Sequence, residues 1–336
     1  VIVPIFKDKT RWGTFEVTFK PVYPKGLAGL WAKPIVKVIV FLVPLAFIGY
    51  LLFMKKTLRH LDPGALIPSR VKAALDALVE GVVLVDTPML PKDIAKWQEF
   101  VLGLNPKGSK YTVITHGHFD HIIGCRQLAG TVIMHEKARA RLFEENATLR
   151  ESMAGLAPER TQEEVEFILS EPLIPSEITM GAALTLNLGE TTLALHHVGG
   201  HSDGSIVVHA LEDRVLLTGD NITSARHPYK GHACFSDWIE ALEFMGTLDV
   251  DTIIPGHGEI CGPDEIGRFI EYMRALDSLT GESIQQGMSC DAVVERVADQ
   301  MFDYFETEPE RLEAARMMFD VGTRRLYQEI QERGRG

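Results

Sequence analysis

A chain of 336 residues with 46% hydrophobic and 24% charged side chains has ordinary globular composition and is long enough to bury one large core or two smaller ones. Its net charge of −12 conceals a basic start, because residues 1 to 65 hold ten Lys/Arg against three acids (+7) while the remaining 271 residues carry −19. That acidic body repels a phosphate backbone and makes nucleic acid a poor first guess, and four scattered cysteines without a CxxC pair argue against a disulfide framework or a thiolate zinc knuckle.

In chain order, the first element is "IVKVIVFLVPLAFIGYLLFM", Ile35 to Met54, 20 residues with the single charge Lys37 near its start. That run is long enough to cross a bilayer as a helix, the alternative being a buried core helix or pair of strands. Residues 1–64 are therefore read as a basic segment with a membrane helix at 35–54, and the cluster Lys55, Lys56 and Arg59 favours a cytoplasmic body after it. From Ala65 onward short apolar runs alternate with amphipathic stretches, an α/β pattern. "SRVKAALDALVE" (69–80) reads as a helix, "GVVLVD" as a strand, "KDIAKWQEFVLGL" as a helix, and "KYTVIT" and "GTVIMH" as strands, the second feeding a helix from Glu136. Residues 146–176 are acidic and helix-prone, an insertion or lid. "LTLNLGETTLALHHV" reads as a hairpin, followed by strands at "SIVVHA", "RVLLTG" and "DTIIPG". From Gly262 to the end the pattern is helical, in about three segments. The domain expectation is thus 65–263 for an α/β catalytic body and 264–336 for a helical extension.

"THGHFDH", residues 115 to 121, places three of the chain's 12 histidines directly after a strand. His116 and His118, two apart in a loop, can turn the same way and chelate one ion through imidazole nitrogens, while Asp120 and His121 point past it toward a second. Three further strand ends offer ligand chemistry: His201 in "HHVGGHSDGS", Asp220 in "LLTGDN" and His257 in "IIPGHG". A carboxylate such as Asp220 can bridge two cations, which a histidine cannot. Loops at strand ends are where one fold gathers side chains distant in sequence into one cleft.

"THGHFDH", "GGHSDGS", "LLTGDN" and "IIPGHG", in that order, resemble the motifs of the metallo-β-lactamase-fold hydrolases, over roughly Val82 to Pro263. The resemblance implies an αββα sandwich with a two-metal site, here with a C-terminal helical extension and the N-terminal membrane helix. It implies His116, His118 and His201 around the first ion, Asp120, His121 and His257 around the second, and Asp220 bridging. Aspartate at 220, where class B1 β-lactamases carry cysteine, is the glyoxalase II-like and lactonase-like arrangement. His196 and His197 do not match a ligand position. The segment before "GVVLVD" looks like the junction of a membrane helix and a PAS domain in a sensor kinase, though no kinase motif follows.

These readings converge on a hydrolase carrying two Zn2+, with iron or manganese as alternatives because nitrogen and oxygen donors do not choose strongly among them. A bridging hydroxide would attack a small ester, thioester or lactone, with Asp120 and Asp220 as catalytic residues. His227 and Tyr229 are candidate substrate contacts, with Lys230 and His232 of the same grade. The readings ranked behind it are a phosphodiesterase, an iron-dependent sulfur oxygenase, and a membrane-tethered metal or ligand sensor without turnover.

Overall fold

The computed structural model describes residues 2–7, 10–16, 81–128, 130–143, 161–173, 176–307 and 309–334. The chain divides into two compact units, Val1–Ser69 and Arg70–Gly336. In the first, β1 (Ile2–Lys7) and β2 (Thr10–Glu16) pair as an antiparallel hairpin that the sequence reading does not anticipate. The membrane helix expected at 35–54 and the helix expected at 69–80 lie outside the described residues. Among the described residues no helix is long and apolar enough to cross a membrane.

The second unit begins with β3 (Val82–Val85) and α1 (Pro91–Leu104), whose Pro91 sits in the first turn, where a missing N–H costs nothing. β4 (Ser109–Val113) leads into two single-turn helices, α2 (Phe119–Ile122) and α3 (Cys125–Leu128). β5 (Thr131–His135) runs into α4, residues 136–143. In the expected insertion, residues 144–160 are outside the described set. Beyond them α5 (Gln162–Leu169) starts at a capping box formed by Thr161 and Glu164, and β6 (Ile178–Met180) follows. β3, β4, β5 and β6 form one sheet in that order, and every pairing is parallel.

The second sheet has the order β11-β10-β9-β8-β7. β7 (Ala183–Leu188) and β8 (Thr191–His197) make the expected hairpin, and β9 (Ile206–Ala210) and β10 (Val215–Thr223) continue it antiparallel. After α6 (Phe235–Met245), β11 (Thr252–His257) returns parallel to β10. Three helices close the unit: α7 (Asp264–Gln285), α8 (Cys290–Met301) and α9 (Leu312–Arg333).

The period-2 alternation of strands assigns each sheet two buried faces. Val113 and Ile133 meet Leu195, Ile206 and Val208 in a core between the sheets. Their neighbours Ile114, Val132 and Met134 point the other way, onto Ile94 and Val101 of α1 and Ile122 of α2. On the far side Val207, Leu216 and Ile253 pack with Trp238 and Leu242 of α6 and with Phe269, Met273, Val297 and Phe319 of the three final helices. The layers therefore run helix, sheet, sheet, helix. The final helices belong to the second sheet's own core.

Candidate metal centre

The HxHxDH stretch leaves β4 at its C-terminal end and turns immediately into α2. His116 and His118 lie in the loop, and Asp120 and His121 in the first turn of α2. His201 follows β8, Asp220 lies near the end of β10, and His257 ends β11. All seven side chains converge in two groups, His116, His118, His201 and Asp220 in one and Asp120, His121 and His257 in the other.

Asp220 stands between the groups. Its Oδ2 lies 3.9 Å from His116 Nε2, 3.6 Å from His201 Nε2 and 3.5 Å from His257 Nε2, and its Oδ1 lies 3.3 Å from His121 Nε2. Asp120 Oδ2 is 3.2 Å from His257 Nε2 and 3.6 Å from His121 Nε2. The first group is almost wholly buried, whereas the His257 side chain is 42% exposed and that of Asp120 26%, so the cleft opens on the second group. Crowding here dictates glycine: a Cβ on Gly256 would overlap Asp220 Oδ1, and one on Gly219, at φ +50°, would overlap the Thr115 hydroxyl.

The donor set fits metal ions on an observation independent of motif. His116 Nε2, His121 Nε2 and Asp220 Oδ1 are buried without a hydrogen bond among the described residues. A fold rarely leaves such atoms unsatisfied, and three of them aimed into one space are what bound cations would complete. On two of the rings the outward nitrogen is held instead. His121 Nδ1 meets Asp86 Oδ2 at 2.8 Å, and His116 Nδ1 meets Thr115 Oγ1 at 3.0 Å. Asp86 also accepts from Thr115 N and Oγ1, both at 2.7 Å. Asn221 accepts from the backbone N–H of His201 at 2.9 Å and donates to Gly199 O. Asp86 is not among the residues singled out from sequence, and neither is Asn221. Ligand carriers of this kind commonly fix the tautomer of the ring they hold.

The ionisable groups of the site shift one another in both directions. Burial pushes His116 and His118 well below the usual imidazole range, each helped by neighbouring imidazoles, and lowers His201 to about 4. At His121 burial acts the same way, but the carboxylates of Asp120, Asp220 and Asp86 outweigh it and raise the group well above its ordinary value. His257 is raised to about 10, chiefly by Asp220, against its own burial. Burial opposes ionisation of Asp120 and Asp220, yet the charges of His121 and His257 hold both carboxyls below the ordinary range.

The four candidate substrate contacts sit on residues 224–234, between β10 and α6, and separate into two pairs. The Tyr229 ring lies 5.6 Å from the His118 ring and 6.5 Å from the His201 ring, and His232 Nδ1 is 2.8 Å from His118 Nε2. His227 and Lys230 turn toward the final helices. His227 Nε2 donates to Phe302 O at 2.6 Å, and its Nδ1 accepts from the Tyr272 hydroxyl at 2.9 Å, so neither nitrogen faces the donor groups. Lys230 is fully buried beneath Phe319 and Tyr272. His196 and His197 also point elsewhere: the His197 ring stacks on His135 at 3.7 Å and donates to Asp203 O, and His196 packs on Phe244.

Known proteins resemble this chain in sequence and fold. Residues 77–257 match the sequence model of the metallo-beta-lactamase superfamily. The acyl-coenzyme A thioesterase MBLAC2 of Bos taurus is 27% identical over 173 residues, 46% of this chain and 58% of that protein, so this chain spans less than two thirds of that relative's length. An uncharacterized protein of Mycobacterium leprae is 26% identical over 173 residues, 49% of this chain and 76% of its own. Among solved structures, a metallo-beta-lactamase family protein from Thermus thermophilus superposes with a TM-score of 0.53 at 19% identity, covering 74% of this chain and 84% of that one, a likeness of fold. With more than half of its length matched by the family and the motif histidines and aspartates gathered in one cleft, the chain belongs to the metallo-beta-lactamase superfamily, the metal-dependent hydrolases that its motifs resemble.

Proposed function

We propose that this chain holds two metal ions, zinc first among them, and hydrolyses a small acyl thioester, with acyl-coenzyme A esters the first class to test. The observation that carries the reading is Asp220, whose two oxygens face both donor groups at 3.3 to 3.9 Å. The thioester preference is supported by the bovine relative, an acyl-coenzyme A thioesterase. When bound, the ions would supply Lewis acidity, polarising the acyl carbonyl and acidifying water.

The chain's own residues contribute the rest. Asp86, Thr115 and Asn221 hold the ligand segments and so aim their donor atoms into one space. Asp120 lies on the open side and orients the attacking water as a hydrogen-bond acceptor. Tyr229 borders the first group and would meet the acyl part of a substrate. Water gives up a proton as its oxygen bonds the acyl carbon, the carbon–sulfur bond breaks with its electron pair going to sulfur, and the departing thiolate then takes up a proton, so that the products are a carboxylic acid and a thiol. A thiol titrates near about 8.5, so a thiolate leaves near neutral pH without a strong acid beside it.

The test is release of free thiol from short- and long-chain acyl-coenzyme A esters by zinc-loaded and chelator-stripped protein. Turnover by the loaded protein alone supports the reading. Cleavage of an activated phosphodiester with no thioester turnover would replace it with phosphodiester hydrolysis, and oxygen consumption with a thiol by iron-loaded protein would replace it with sulfur oxygenation.

A further inference from the structure

The first donor group contains one histidine whose orientation comes from far along the chain. His118 directs Nδ1 toward His201 Nε2 at 2.9 Å, inside the group, and Nε2 toward His232 Nδ1 at 2.8 Å, outside it. A neutral imidazole carries one proton on one of its two nitrogens. For Nδ1 to offer a lone pair to a cation, that proton must be on Nε2, where it needs an acceptor. His232 Nδ1 is that acceptor, and the proton of His232 then resides on its own Nε2. His116 and His121 take their outward partners from Thr115 and Asp86, which the first sheet positions; His118 depends on a residue 114 positions away.

We propose that His232 is a positioning residue: it fixes the tautomer and ring plane of His118, and so sets how tightly the first group binds its ion. The inference rests on the reading of that group as a metal site.

The seat of His232 is rigid for reasons on both sides of it. Lys230 is buried against α9, where the Gly322 backbone leaves the space its side chain occupies. On the other side Arg325 Nε donates to Ala233 O at 3.1 Å, and Cys234 N donates to Gly200 O at 3.0 Å. Glu329 then accepts from the Phe235 and Ser236 backbone N–H groups at 2.8 and 3.2 Å, fixing the start of α6. The segment is thus clamped by the last helix and by the turn that carries His201. An acceptor held this firmly can dictate a tautomer.

The experiment compares zinc affinity, by competition with a chromophoric chelator, in the wild-type chain, His232→Leu and His232→Asn, together with the absorption spectrum of the cobalt-loaded forms. Asparagine can place its amide oxygen near the position of Nδ1 and accept from His118; leucine cannot. The expected result is a loss of roughly 10- to 100-fold for one of the two ions in His232→Leu, with a changed cobalt spectrum, and a loss under about threefold in His232→Asn. Equal affinity in all three proteins would overturn the proposal while leaving the metal reading intact, and so would an asparagine variant as weak as the leucine one. A wild-type chain that binds no metal would overturn both.

Discussion

Lys230 gives the most direct test of how the segment beside the candidate metal centre is held. Its ammonium reaches the Pro228 carbonyl at 3.2 Å and the Tyr272 hydroxyl at 3.3 Å, with the Phe319 ring centred 4.9 Å away, and among the described residues no carboxylate pairs with it. Burial lowers its pKa from 10.5 to about 7. The unfolded chain therefore binds more protons than the folded one between those values, so this group makes stability rise with pH, with the full penalty below about 7 and none above 10.5. Each pH unit of that interval is worth about 1.4 kcal/mol, so near pH 6.5 the charged lysine costs the fold about 5 kcal/mol. Lys230→Met keeps the length of the side chain, removes the charge, and gives up two hydrogen bonds worth about 1 kcal/mol each. The variant should then be more stable than wild type by about 3 kcal/mol near pH 6.5 and about equal to it near pH 9.5. Urea unfolding of both proteins at the two pH values, at one fixed zinc concentration, reads the difference. Parallel stability profiles, or a variant weaker at low pH than at high pH relative to wild type, would refute the argument that an unpaired charge is buried there.

Asp220→Asn keeps shape but removes the anion shared by the two groups, and should leave a folded protein whose metal content falls toward one ion and whose turnover drops at least about 100-fold; elemental analysis and thiol release measure the pair, and two retained ions at wild-type rate would remove Asp220 from the bridging role. Because His257 is raised to about 10, chiefly by Asp220, and His121 well above its ordinary value, both hold protons near neutrality that binding of a cation by these rings would displace. Zinc uptake should accordingly release protons and weaken as pH falls, which calorimetry in buffers of different ionisation heat detects; a buffer-independent heat would contradict it. Glu329→Ala removes the carboxylate that holds the start of α6 and pairs with Arg333, and should cost about 2 to 3 kcal/mol, read as a lower thermal midpoint, whereas an unchanged midpoint would make the clamp incidental.

The seven convergent side chains were legible in the sequence because they lie in or beside loops that follow apolar runs, where a strand must stop and a loop must carry polar groups. HxHxDH is dense enough to resist any reading as a solvated turn, and the alternation in "LTLNLGETTLALHHV" is enough to write its hairpin. Asp86 was not legible. An aspartate closing "GVVLVD" looks like any turn residue, and only the parallel register that sets Val85 beside Val113 carries it to Thr115 and His121. His227 illustrates the opposite case. Seven residues past Asp220 it reads as a substrate contact, yet Tyr272 and Phe302, 45 and 75 residues later, take both of its nitrogens. The hairpin β1–β2 is not evident in the sequence because Pro4 and the charges of Lys7, Asp8 and Lys9 obscure its alternation.

What sequence spacing encodes here is therefore which side chains converge; what it leaves out is which groups aim them. The aiming is divided between the two halves of the fold. Asp86 and Thr115 reach His121 and His116 from the parallel sheet, so those rings are set by β3 and β4, elements adjacent to the motif. His118 is met by His232, from a segment that Arg325 and Glu329 of α9 pin down. The final helices, which carry no donor of either group, thus bear on the geometry of the first group and not through the same contacts on the second. A ligand motif copied onto another sheet without that helical layer would retain its donor atoms but leave the His118 tautomer undetermined, since a lone imidazole distributes its proton between both nitrogens.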